Sequence, residues 1–196
     1  MIASILDTTK EAAAAGVLVR LATRADLPQI ALTQTLSIRE LGKGFYSWLQ
    51  IESFMEFMPM MEHYLIDDGT YFVAEHDGRI IGCGGWSCRS PSYRVCSPGG
   101  QPAAGRSAKV RAMYVHPDAA RRGIGRTLLE RIEREMTRSG HKEASLEAIL
   151  PGVPLYRNRG YRETGATRVE FPNGVHLPVI CMHKRLAPRG ARSDAR

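Results

Sequence analysis

The chain has 196 residues, 43% hydrophobic and 24% charged, which fits one domain with a real core and argues against a disordered or collagen-like polymer. Its 27 basic and 20 acidic residues leave a net charge of +7. From Lys184 onward, Lys184, Arg185, Arg189, Arg192 and Arg196 meet only Asp194, so most of the excess sits in a terminal tail and a nucleic-acid-binding face is not indicated.

The first residues, to Gly16, are Ala-rich and weakly patterned and read as an N-terminal arm. The longest apolar stretch, Ala12 to Val19, is too short to cross a bilayer. Asp7, Lys10 and Glu11 interrupt any export signal, so a cytoplasmic, reducing location is expected. Val17 to Ala22 reads as a first strand. Asp26 with Pro28 then starts a helix spaced through Leu27, Ile30, Ala31 and Leu41, which Gly42 and Gly44 break. A second helical stretch from Trp48 to Tyr64 is rich in Met and aromatics, and Pro59 should kink or split it.

Strands over Thr70–His76 and Arg79–Cys88 flank Asp77-Gly78, a hairpin signal. Residues 90–107 carry enough Pro and Gly to predict a surface loop. Ala108–Val115 is strand-like. Ile124, Leu128, Leu129, Ile132 and Met136 form one apolar stripe on a helix ending near Gly140. Glu143–Leu150 is another strand, a helical turn follows over 153–159, and two last strands, about 161–171 and 176–186, flank Asn173-Gly174. The order β-α-α-β-β-β-α-β-α-β-β predicts an α/β domain over 17–186 with a mixed sheet, followed by a basic tail at 187–196. The cysteines at 83, 88, 96 and 181 have neither CxxC nor finger spacing, so no metal site is expected.

The chemistry-bearing segment is Met113-Tyr-Val-His-Pro-Asp-Ala-Ala-Arg-Arg-Gly-Ile-Gly-Arg126, between a strand and the striped helix. Glycines and bare amides at a helix start, beside Arg121, Arg122 and Arg126, make an anion site. Three guanidiniums suit more than one phosphate. The run is not a P-loop, because Arg126-Thr127 stands where Gly-Lys-Ser/Thr is needed. Nor is it a dinucleotide turn, because Leu128 occupies the third glycine position and the strand ends eight residues earlier.

Two motifs in order, Val115-x-Pro117-x-x-x-Arg121-Arg122-Gly123-Ile124-Gly125-x-x-Leu128-Leu129 and Leu155-Tyr156-x-x-x-Gly160-Tyr161, resemble the GNAT superfamily of acyl-CoA N-acyltransferases. Asp77-Gly78-Arg-Ile-Ile-Gly82 is similar to that family's second-to-third strand hairpin. The resemblance spans about residues 17–186 and implies a mixed, mostly antiparallel sheet of about seven strands, splayed between the fourth and fifth and flanked by helices. It implies an N-acetyltransferase that moves the acetyl group of acetyl-CoA to a primary amine by direct attack in a ternary complex. The alternative is a catalytically weak CoA-binding or sensing member of the same fold.

Carried over residue by residue, the resemblance places the CoA pyrophosphate on Arg121, Arg122, Gly123, Ile124, Gly125, Arg126 and Thr127. It puts pantetheine along Met113, Tyr114 and Val115. Tyr156 matches the tyrosine that protonates the departing thiolate. Many members carry an Asn on the way to that tyrosine, whereas Ile149-Leu-Pro-Gly-Val-Pro154 has none. Members of this kind commonly dimerise through their last strands, so a homodimer is an open expectation.

No residue declares itself as the base. Glu147, on the strand across the expected splay, is the first candidate, with Glu75 and His116 behind it. Strand alternation would put Arg111 on the same face as Met113, where it could receive a carboxylate on the acceptor. Trp86, Tyr46, Trp48 and the Met-rich helix are candidates for the wall of the acceptor groove.

Overall fold

The computed structural model describes residues 16–58, 63–89, 95–96 and 108–186. The expected N-terminal arm, apart from Gly16, and the basic tail lie outside the described residues. The chain begins with β1 (Leu18–Leu21), then α1 (Leu27–Leu36), α2 (Trp48–Phe57) and α3 (Tyr64–Asp67). Strands β2 (Tyr71–His76), β3 (Arg79–Ser87), β4 (Val95–Cys96) and β5 (Ala108–Val115) follow. Helix α4 (Ile124–Arg138), β6 (Glu143–Ile149), α5 (Val153–Asn158), β7 (Arg162–Glu170) and β8 (His176–Arg185) complete it.

The strands form one mixed sheet in the order β1-β2-β3-β5-β6-β8-β7-β4. Every neighbouring pair is antiparallel except β5 and β6, which run parallel. Seven of the strands are those read from the sequence. The eighth, β4, falls inside the stretch expected to be loop and pairs Val95 with Val169 and Cys96 with Arg168 at the β7 edge. Two residues carry no alternation to detect. The Met-rich stretch gives two helices, in keeping with the split expected at Pro59: α2 ends at Phe57 and Met58 is already extended at φ −86°, ψ 127°. Residues preceding proline are pushed out of the helical region, and Pro59 is next in sequence.

The two sheet faces carry separate cores. On one, the α4 stripe of Ile124, Leu128, Leu129, Ile132 and Met136 packs with Ala144, Leu146, Ala148 and Tyr156. At roughly 2 kcal/mol per buried side chain, this stripe contributes on the order of 10 kcal/mol before conformational entropy is subtracted. Gly82 lets the helix approach, since a Cβ there would lie 2.9 Å from Ile124 and 3.0 Å from Leu128. On the opposite face, Ile30, Ile38, Ile51 and Phe54 from the first helices pack on Tyr71, Val73, Cys83, Leu177 and Val179.

Local ties register the edges. Asp26 accepts from both terminal guanidinium nitrogens of Arg20 at 2.8 Å and from the Thr23 amide at 2.7 Å, joining β1 to the start of α1. The Arg20 hydrogen bonds hold the Asp26 carboxyl well below the usual carboxylate range. The β2–β3 hairpin turns on Asp77 (φ 48°) and Gly78 (φ 73°), both left-handed as a two-residue hairpin turn requires.

Candidate active site

β5 and β6 pair only at Ala108↔Ala144 and Lys109↔Ser145, the start of each strand. Beyond that point they part. β5 remains bonded to β3 on its other side as far as Val115↔Gly82, and β6 remains bonded to β8 as far as Ile149↔Val179. The two facing edges of the fork therefore carry backbone donors and acceptors with no ladder partner across the gap, which an extended ligand could complete as an added strand would. This is the splay between the fourth and fifth long strands that the family resemblance implied.

A bulge shapes the fork. Between Gly85↔Arg111 and Cys83↔Tyr114, β5 has two intervening residues and β3 has one, and Ala112 stands at φ 47°. The Tyr71 hydroxyl donates to the Ala112 carbonyl at 2.9 Å and accepts from Gln34 Nε2 at 3.0 Å. Both side chains are fully buried, so the strained residue is held from behind. The bulge overturns one expectation. Val110 packs in the α4-side core and so do Met113 and Val115, whereas Ala112 and Tyr114 pack on the opposite side. Alternation is shifted by one, and Arg111 does not share a face with Met113.

A cleft of about 620 Å3, open to solvent, runs through the fork. Val110, Arg111, Ala112, Met113 and Tyr114 line it from β5, and Leu146, Glu147, Ala148 and Ile149 from β6. Tyr156 of α5 closes one side; Phe54, Met58, Val169, Leu177 and Val179 close the other. Tyr156 is buried and meets Tyr161 edge-on, with ring centroids 5.6 Å apart. Burial pushes its phenol well above the ordinary value, so it stays protonated through the neutral range.

Lys109 donates to Glu147 Oε1 at 2.6 Å, just past the last paired residues. Arg111 is buried, and its Nη2 donates to the Arg89 carbonyl at 3.0 Å. Glu75 is bound to Arg20 at the far edge of the sheet, and the His116 ring accepts the Asp118 amide at 3.2 Å within its own turn. Neither lines the cleft. Trp86 does not line it either: it packs on the α4 side, edge-on to His141 at 5.2 Å, which removes the reason for placing it in the acceptor groove. Trp48 is 74% exposed, and the Tyr46 hydroxyl bridges Pro178 O and Leu150 N at 2.8 Å each.

At the mouth of the fork lies the start of α4. Arg121 (φ 63°) and Gly123 (φ 88°) both adopt left-handed backbone, and Gly123 caps the helix. The Thr127 amide and hydroxyl already bond Gly123 O, at 3.0 and 3.2 Å, whereas among the described residues no acceptor takes the amides of residues 121–126. Arg121, Arg122 and Arg126 are exposed and, among the described residues, have no carboxylate within 4 Å. Several other arginines are paired: Arg24 with Asp67, Arg89 with Asp68, Arg131 with Glu135, Arg159 with Glu130. Three uncompensated cations at the positive end of a 15-residue helix work against that helix until an anion arrives. Gly125 joins this turn to the second motif, since a Cβ there would lie 3.1 Å from Leu155.

Comparison with known proteins decides the family. Residues 67–163, about half of the chain, match the acetyltransferase (GNAT) domain, a span that contains the fork, the arginine turn and Tyr156. The chain belongs to the GNAT superfamily. This GNAT protein is 30% identical over 113 residues to the IAA acetyltransferase of Azospirillum brasilense, a match covering 56% of the chain and 65% of that relative, less than two thirds of the latter's length. In fold it is similar to a GCN5-related N-acetyltransferase structure from Rhodopseudomonas palustris, with TM-score 0.66, 21% identity, and 87% and 96% of the two chains covered. It is also similar to the PaiA N-acetyltransferase of Thermoplasma acidophilum in complex with coenzyme A, with TM-score 0.60, 19% identity, and 87% and 99% covered. No helix among the described residues is long and apolar enough to cross a membrane, and no cluster of His, Cys, Asp and Glu there could hold a metal ion.

Proposed function

We propose that this GNAT protein transfers the acetyl group of acetyl-CoA to a primary amine, both substrates being bound at once. The observation that carries the reading is the unpaired cationic turn at Arg121–Arg126 beside the fork. It has the charge and the free amides for a diphosphate, and the open strand edges it adjoins have the backbone groups for an amide-bearing arm. The CoA complex of the Thermoplasma relative, which shares this fold, lends support. Acetyl-CoA supplies an activated acyl carbon: the amine nitrogen bonds to it, the carbon–sulfur bond breaks, and the leaving thiolate needs a proton.

The chain's own groups divide the work. Arg121, Arg122 and the amides of Gly123 to Arg126 hold the diphosphate, with Thr127 acting through its helix cap. Met113, Tyr114 and Val115 offer their open edge to pantetheine. Glu147 takes the proton from the amine, one of its oxygens being held by Lys109. Tyr156, kept neutral by burial, gives a proton to the thiolate. Arg111 lines the β5 side of the same cleft, with its Nη2 held by the Arg89 carbonyl.

Calorimetry with acetyl-CoA, followed by a thiol-release assay over a set of amines, tests this. Wild type should bind, and Arg121→Ala or Arg122→Ala should each weaken binding about tenfold. Absence of binding ends the proposal. Binding without thiol release for any amine would favour a CoA-binding member without turnover.

A further inference from the structure

We infer that the acceptor is a small monoamine carried on an apolar body; this rests on the acyl transfer just proposed and specifies its second substrate. The α2 side of the cleft is walled by Phe54 of α2, Met58 just beyond its end, Val169 of β7, and Leu177 and Val179 of β8. All but Met58 are almost fully buried. Among the described lining residues Glu147 is the only acid, and Lys109 already engages one of its oxygens at 2.6 Å.

These walls discriminate between acceptor classes. A polyamine or an aminoglycoside brings further ammonium groups, and each would need its own carboxylate once taken out of water. Only a single partly neutralised carboxylate is at hand. A peptide N-terminus brings amides instead, which also need partners. Val169 and Leu177 are register partners in the β7–β8 ladder, as are Thr167 and Val179, so this wall presents side chains rather than open backbone. An alkyl or aryl chain asks for nothing but contact and gains the burial energy.

The test is thiol release with a series from propylamine to hexylamine, with phenethylamine, spermidine and an alanyl tripeptide alongside. KM should fall about fourfold per added methylene. Spermidine and the tripeptide should be slower by at least about tenfold in kcat/KM, the cost of one unmatched polar group. Met58→Glu, with its fold checked by thermal melting, should raise turnover of spermidine relative to hexylamine, and Met58→Leu should leave the ranking as it is. Calorimetry of hexylamine and spermidine against the CoA-loaded protein reads the same preference without turnover. Thiol release that favours spermidine or the tripeptide, or is flat along the alkyl series, overturns the inference while the reaction stands. Selective hexylamine binding with no thiol release from any amine supports the inference and overturns the reaction. If neither amine binds and none reacts, the inference falls.

Discussion

Lys109 and Glu147 meet at 2.6 Å, one on each arm of the fork, two residues past the point where β6 last pairs with β5. The ion pair therefore spans the seam at its root, with 28% of the Lys109 side chain and 14% of the Glu147 side chain exposed. A carboxylate held by one oxygen keeps a single orientation, and its other oxygen is left for the cleft. If Glu147 is the base, Lys109 is the residue that positions it.

Glu147→Gln should then lower kcat by about a hundredfold or more, with acetyl-CoA affinity unchanged. Lys109→Met should lower kcat by about tenfold, and Lys109→Arg should restore most of it. In the Glu147→Gln background, Lys109→Met should cost nothing further in kcat, because residues acting through one another are not additive. Additive losses, or a fall in CoA affinity in the Lys109→Met protein, would mean that the pair only braces the strands.

Tyr156 carries a pH prediction. Burial raises its phenol above the ordinary value of about 10, so the neutral, proton-donating form persists to higher pH than in a free tyrosine. The alkaline limb of kcat should accordingly lie above about pH 10, and activity should not fall between neutrality and that point. Tyr156→Phe should lose about a hundredfold in kcat and keep its affinity for acetyl-CoA. An alkaline limb near pH 8 that persists in Tyr156→Phe would assign the titration to another group.

A stability prediction falls on β3. A Cβ at Gly85 would lie 2.4 Å from the Thr70 carbonyl and 3.0 Å from Tyr71 Cα, both backbone-bound positions that cannot swing aside. Gly85→Ala should destabilise the fold by about 2 kcal/mol or more, read as a lower denaturation midpoint. Gly165→Ala, where a Cβ would meet nothing within 4 Å, should leave the midpoint nearly unchanged.

Much of this protein was legible in one dimension. The α4 stripe, the Asp77-Gly78 turn and the glycine-arginine run are local patterns, and local patterns report local structure. The 3.6-residue spacing of Ile124, Leu128, Leu129, Ile132 and Met136 marks a helix face whatever it packs on. The unbalanced charge of Arg121, Arg122 and Arg126 was visible in the same way, because no acid lies in the first turn of α4.

The acceptor side was not legible, since it is built from α2, β7 and β8, more than a hundred residues apart in sequence, and only packing brings Phe54 beside Leu177 and Val179. The bulge at Ala112 was hidden for another reason. Alanine has no preference for a left-handed conformation, and what holds it there is a hydroxyl forty-one residues earlier, on Tyr71. That one extra residue moved Arg111 to the opposite face from Met113 and took with it the pairing that alternation implied. Sequence by itself determined the seven longer strands, the main helices and the glycine-arginine turn, whose causes lie within a few residues. Tertiary structure decided where the strands part, which residues face the gap and which carboxylate gains a cation, because those depend on contacts between distant segments.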